Sequence, residues 1–332
     1  MNLRPTLILA ALVASLVAVL MPAFSKASSS NKNGRIAFAA DNVHGSAQVF
    51  TVNPDGTRLR QVTHDPLTFG TDGLSWSPDG RDLLFVVWHG GNGDKIHKSR
   101  ADGSGATAIS PPCEGECLGD DDPAYSPDGK KIAFERALGP FLNYHASVVA
   151  IFTMDADGNH LAQLTQTSTP TSSDDHAPDW SPDGTKIAFV RDNTTATPHS
   201  KGAIEVMNAD GSNVQRLTPF RIDAADPHWS PNGKQILFNT HGHAAQGKSA
   251  NLFTMHANGT HRAPLTHYAG GTLQAFADDW SPDGRQIVFH RLAFSGTNTE
   301  RGHFYILDLR TMHIRRLTRA RIRGYARAAW GK

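Results

Sequence analysis

The sequence predicts an all-β fold, a six-bladed β-propeller with four antiparallel strands per blade, on three observations. Ser-Pro-Asp-Gly begins at residues 77, 126, 181 and 281, and Ser-Pro-Asn-Gly at 230, so five copies recur at intervals of 49, 55, 49 and 51 residues. Each copy follows an aromatic residue (Trp76, Tyr125, Trp180, Trp229 or Trp280) and precedes an apolar run ending in Phe: RDLLF, KKIAF, TKIAF, KQILF and RQIVF. Each unit then closes on a hydroxyl residue, at Thr63, Ser110, Thr165, Thr218, Thr266 and Thr318, which brings the count to six. Self-similarity at about fifty residues is the mark of a repeat architecture whose units bury their faces against one another.

The elements follow from turn chemistry. In Ser-Pro-Asp-Gly, Pro presets φ at the second turn position, Asp suits the third, and Gly takes the left-handed conformation that starts the return strand. Each unit therefore reads as strand A ending in the aromatic, strand B ending in Phe, and strands C and D around a second turn such as NPDG or NADG. The aromatic of A and the Phe of B are expected to pack against the neighbouring sheet. The run GRIAF at 34–38 is a strand B without its strand A, and ARAAWGK at 326–332 places Trp330 as a strand A without its strand B. The C-terminal strand is thus expected to complete the N-terminal blade, so that the propeller occupies 33–332.

Composition agrees with this reading. The chain has 332 residues and a net charge of +1, which gives no reason to expect nucleic acid as a partner. Residues 1–27 read as a secretory signal peptide: Arg4, an apolar stretch from Leu7 to Met21, and small residues at Ala23, Ser25 and Ala27. That stretch is shorter than the roughly 20 residues of a membrane span. The mature protein is expected to be exported, periplasmic or extracellular, and not membrane-spanning after cleavage. Cys113 and Cys117, the chain's two cysteines, are candidates for a local disulfide in an oxidising compartment.

The aromatic-SPDG-xxIAF pattern resembles the WD-like repeats of the TolB β-propeller family over the whole of 33–332. The resemblance implies a six-bladed ring. TolB carries an α/β domain before its propeller, and the few residues between the expected cleavage site and Gly34 lead us to expect none here. Related blades occur in prolyl oligopeptidase-type peptidases and in lyases, so the resemblance speaks more to fold than to activity.

Function is sought on the face where the longer B–C and D–A connections gather around the channel mouth. Approaching strand A they offer Asp72, Asp122, His176, Asp226 and Asp278, with Arg327 in the closing blade; leaving strand B they offer Arg136, Arg191 and Arg291. Two readings compete. Converging carboxylates could hold Ca²⁺, which needs six to eight oxygens. Alternatively each Asp caps its own loop or pairs with an Arg of the next blade, which the preference of Asp for turns and the recurrence of Arg favour. The His241-Gly-His243 pair lacks partners that would make it a zinc signature, and DADGN at 155–159 is a C–D turn rather than a calcium loop. No G-x-S-x-G elbow is present. Residues 310–332 hold eight cations and no acid, with Arg319, Arg321 and Arg323 in the last connection. The expected function is non-catalytic binding of a protein or cell-envelope polymer at the mouth, with no cofactor; the alternative is a lyase or hydrolase with a His/Asp/Arg site there.

Overall fold

A computed structural model describes residues 33–41, 47–64, 71–88, 93–112, 117–139, 148–166, 174–193, 201–243, 246–293, 301–318 and 327–332. The expected signal segment 1–27, Cys113 and the three arginines 319, 321 and 323 lie outside them. The strands are β1 (Ile36–Asp41), β2 (Ala47–Val52) and β3 (Arg60–Gln61); then β4 (Thr71–Trp76), β5 (Asp82–Val87), β6 (Lys95–Arg100) and β7 (Thr107–Ala108). Next come β8 (Cys117–Tyr125), β9 (Lys131–Leu138), β10 (Val148–Asp155) and β11 (Ala162–Gln163), followed by β12 (Asp174–Trp180), β13 (Lys186–Asn193), β14 (Lys201–Asn208) and β15 (Gln215–Arg216). The last are β16 (Ala224–Trp229), β17 (Gln235–Thr240), β18 (Leu252–His256), β19 (Ala263–Pro264), β20 (Leu273–Trp280), β21 (Gln286–Ala293), β22 (Arg301–Asp308), β23 (His313–Arg316) and β24 (Ala328–Trp330).

They form six four-stranded antiparallel sheets, five from consecutive strands and the sixth in the order β24-β1-β2-β3. Strand β24 pairs with β1 in the register Ile36↔Trp330, Ala37↔Ala329 and Phe38↔Ala328, so the tail completes the first blade. We number the blades from this one.

The repeated tetrapeptide is visible as a hydrogen-bond device. In the first copy the Ser77 hydroxyl donates to Asp79 at 2.7 Å and accepts the Asp82 N–H at 2.9 Å, while the Gly80 N–H donates to the Ser77 carbonyl at 2.8 Å. Gly80 has φ +68°, the left-handed region that a side chain would strain. The closing hydroxyls act just as locally, since Thr165, Thr218 and Thr266 each accept the N–H of a strand-C residue fourteen positions earlier, at 2.8–3.0 Å.

Strand B is apolar through its Phe because both its faces are buried there, and in most blades it turns polar or charged toward the mouth. On β5, Leu83, Phe85 and Val87 face blade 1, where they join Ala37 and Val49, while Leu84 and Val86 face blade 3 and join Ile132 and Phe134. Every seam between blades has such a core, including the closing one, where Ile36, Phe38 and Trp330 meet Val288, Phe304 and Ile306.

The ring also alternates. The indole N–H groups of Trp76, Trp180 and Trp280, on blades 2, 4 and 6, donate to the carbonyls of Ala329, Ala124 and His228 on the preceding blades at 3.1–3.2 Å. In return Ser75, Asp179 and Asp279, one residue before each of those tryptophans, accept the backbone N–H of Tyr125, Trp229 and Trp330 on the following blades at 3.1, 2.6 and 2.8 Å. Tyr125 Oη, Trp229 Nε1 and Trp330 Nε1 make no such bond. The six blades are therefore linked as a threefold repeat of two-blade units.

Candidate functional site at the channel mouth

Counting back from each strand-A aromatic places one residue per blade at the same height on the channel wall. Three positions before the aromatic stand Arg327, Gly73, Asp122, Ala177, Asp226 and Ala277, in blade order. Gly73, Asp122, Ala177 and Asp226 have φ of +55°, +47°, +51° and +50°, and the A–B register shifts at each of these points. Such a bulge bends the strand and re-aims its side chains. Pro123, Pro178 and Pro227 follow three of them, where the interrupted ladder does not require an N–H.

The charged members fall on blades 1, 3 and 5, and the small ones on blades 2, 4 and 6. The consequence is an ionic clamp across the axis. Arg327 donates to Asp226 Oδ1 at 2.7 Å and to Asp122 Oδ2 at 2.8 Å, so blade 1 grips blades 3 and 5. Its side chain is 25% exposed and both carboxylates 15%. Burial opposes ionisation of Asp226, but the Arg327 guanidinium and the nearby His241 outweigh it and hold the carboxyl at about 2. At Asp122 burial prevails, only partly offset by Arg327, and its pKa is raised.

Further titratable groups surround this clamp. Glu135 on β9 accepts the Ala177 N–H at 3.1 Å; burial and the neighbouring Asp122 push it up to about 7. His176 lies 3.4 Å from Asp192; burial disfavours its cation, yet Asp192, Glu135 and Asp226 raise it to about 9. Below the clamp, a cavity of about 140 Å³ is lined from all six blades and includes Asp179, Asp279 and His228. Burial raises Asp179 to about 8 and Asp279 to about 7, and lowers His228 to about 4.

The other residues singled out from sequence lie outside the clamp, and of them Asp278 also lines the 140 Å³ cavity. Arg136 makes a bidentate pair with Asp120 of its own blade at 2.6 and 2.9 Å. Arg191 does the same with Asp175, at 2.7 Å twice, and reaches Glu205 at 2.8 Å. Arg291 donates to the hydroxyls of Tyr305 at 2.7 Å and Tyr268 at 3.3 Å. Asp278 faces His290 at 3.1 Å and accepts the Ala328 N–H of the closing strand at 3.0 Å. The side chain of Asp72 lies outside the described residues. Cys117, at the start of β8, is disulfide-bonded. Among the described residues no group of three or more His, Cys, Asp or Glu is arranged to hold a metal ion.

A second concavity of about 570 Å³ opens on the mouth face between blades 4, 5 and 6. Its wall carries Asp223, in left-handed backbone after the short 3₁₀ turn Phe220–Ile222. The Asp223 carboxylate meets His241 Nδ1 at 3.3 Å and His243 Nε2 at 3.0 Å and accepts the Gly202 N–H at 3.1 Å. Burial opposes its charge, but the two imidazoles and the amide hold it at about 2.

The family model of the TolB β-propeller domain matches residues 118–244 and 184–324, more than half of the chain. The chain belongs to the TolB β-propeller domain family. Among solved structures this TolB-family propeller is similar to TolB from Acinetobacter baumannii, at 20% identity and a TM-score of 0.65, over 90% of this chain and 66% of that one. It is similar to a putative TolB from Agrobacterium tumefaciens at 18% identity and a TM-score of 0.63, over 90% and 99% of the two chains. An oligogalacturonate lyase in complex with manganese shares the fold at 13% identity and a TM-score of 0.57, over 86% and 74%. An uncharacterized protein of Agrobacterium fabrum is 31% identical over 121 residues, so the match spans 36% of this chain and 39% of that relative. At these identities the solved structures speak to the fold.

Sequence reasoning missed Glu135, Asp192, Asp179, Asp279 and Asp223. For Asp179 and Asp279 a signal existed: both stand one residue before a strand-A tryptophan on an even-numbered blade. Glu135 and Asp192 lie on strand B, where only the assembled ring shows that they face the mouth.

Proposed function

We propose that this TolB-family propeller is an exported, non-catalytic binding module that presents its mouth face to a protein partner of the cell envelope. The observation that carries this reading is the Arg327 clamp. The charges that converge on the axis are paired with one another at 2.7 and 2.8 Å, which suits a rigid platform better than an acid–base site waiting for substrate. The reading of residues 1–27 as a signal peptide supports export. Among the described residues no helix is long and apolar enough to cross a membrane.

One observation favours a second reading, an extracytoplasmic lyase or hydrolase. The Asp223–His241 pair is a carboxylate-oriented imidazole beside a groove, an arrangement that can move a proton. The two readings separate in one experiment. A photo-crosslinking residue is placed at Tyr268 on the mouth face or at Lys130 in the A–B turn of the opposite face, and the protein is expressed in its native envelope. Adducts formed at position 268 alone, with the partner chemically unchanged, support the binding module. Adducts at position 130 alone, or a ligand cleaved by the wild type and spared by His241→Ala, would overturn it.

A further inference from the structure

The cations of this protein fall into two classes. Arg136, Arg191 and Arg327 are each held by carboxylates at 2.6–2.8 Å. Lys201, Arg221 and Lys248 are exposed, and among the described residues none of them has a carboxylate within ion-pair distance. All three line the same 570 Å³ groove, Lys201 from the start of β14 and Arg221 and Lys248 from two connections of the mouth face. A volume of this size lies within the roughly 300–1,000 Å³ range of ligand pockets.

The one acid in the lining can offset only one of the three charges. Asp223 is already committed to His241, His243 and the Gly202 amide. An ionised carboxylate only accepts hydrogen bonds, so both imidazoles must turn an N–H toward it. Among the described residues the groove therefore presents three unpaired cations and the far edge of His241 against one carboxylate, whose acceptor positions are already taken. That is the electrostatic profile of a site for a ligand with several negative charges.

We infer that the groove between blades 4, 5 and 6 binds an acidic peptide segment of a protein partner, through Lys201, Arg221 and Lys248. This deepens the binding-module reading and rests on it. A peptide is favoured over an acidic polysaccharide by the rest of the lining. Its aromatic ring, Tyr268, already carries the Arg291 guanidinium 5.7 Å from the ring centre and is not an open plate on which a sugar would stack. Two of the three cations, Lys201 and Lys248, are flexible point charges that can follow a variable chain.

The test uses the full chain and a fluorescein-labelled hexaglutamate probe, with hexaglutamine and an oligouronate of equal charge as comparisons, read by anisotropy at low and moderate salt. Hexaglutamate should bind and hexaglutamine should not. Affinity should fall as salt rises, because exposed charges are screened. Lys201→Glu combined with Lys248→Glu should weaken binding by about tenfold or more. Lys130→Glu, on the opposite face, should leave it unchanged and report any effect of net charge alone. No hexaglutamate binding, or equal loss in the Lys130→Glu protein, would overturn the assignment. Oligouronate binding tighter than hexaglutamate would overturn the peptide identity. In each of those cases crosslinks from Tyr268 would still form if the mouth face is the binding surface, so the two readings fail separately.

Discussion

Replacing Arg327 by Met keeps an unbranched apolar stem and removes the guanidinium that joins blade 1 to blades 3 and 5. Two charge-assisted hydrogen bonds, of 2.7 and 2.8 Å, disappear, and Asp122 and Asp226 are left as neighbouring carboxylates that are only 15% exposed. Breaking a buried pair by removing one partner costs about 3–5 kcal/mol. Because the Arg327 side chain is 25% exposed, solvent screens part of this interaction. We therefore expect a loss of about 2–4 kcal/mol. At about 2 °C per kcal/mol for a chain of this size, the melting temperature should fall by about 4–8 °C at pH 7.5. The pH dependence has a definite sign. Without the guanidinium, the two carboxylates raise each other's pKa, so the folded variant takes up a proton that the unfolded chain does not. Stability conferred by a raised carboxyl pKa is present at low pH and lost as pH rises, so the gap between variant and wild type should narrow from pH 7.5 to pH 5. Adding Asp122→Asn and Asp226→Asn to Arg327→Met should recover most of the loss. A fall under 2 °C that is equal at both pH values, or a triple variant no better than the single one, would refute the clamp.

Trp180→Ala should cost about 3–5 kcal/mol in chemical denaturation, since it empties an interblade core and removes the donor to the Ala124 carbonyl; a loss below about 1 kcal/mol would contradict that packing. Glu135→Gln keeps an acceptor for the Ala177 N–H but cannot ionise. Glu135 has a folded-state value of about 7, raised from its ordinary one, so its contribution is present below the unfolded value and is lost as pH rises through about 7. The variant should thus match wild type at about pH 4 and exceed it at pH 8.5 in stability curves, and parallel curves would reject the assignment.

The blades were legible because their determinants are local. A turn that needs Pro, Asp or Asn, and Gly at fixed places, and a Ser or Thr hydroxyl that accepts an amide fourteen residues back, each write themselves into five of the six blades. The pairing of Trp330 with Ile36 was legible for a different reason: one blade lacked a strand and the tail had one to spare. The mouth was only partly legible. Asp72, Asp122, His176, Asp226, Asp278 and Arg327 are all close to strand A, but they stand four, three, four, three, two and three residues before the aromatic. In a strand one residue's offset turns a side chain to the other face. Asp122, Asp226 and Arg327, which share the offset of three, meet in the clamp. The groove at Lys201, Arg221 and Lys248 had no sequence signal, because a strand end and two separate connections build it only when the ring curves.

The ring is closed by its own tail, and that closing strand carries Arg327 into the mouth. Native-state hydrogen exchange of the β24 amides tests this most directly. Ala328 and Trp330 donate to Asp278 and Asp279 at 3.0 and 2.8 Å, and Gly331 donates to the Arg35 carbonyl at 2.9 Å. These amides should exchange as slowly as those at the centre of β13, through global unfolding alone. Exchange at the rate of an unpaired chain end would contradict the closure and, with it, the clamp.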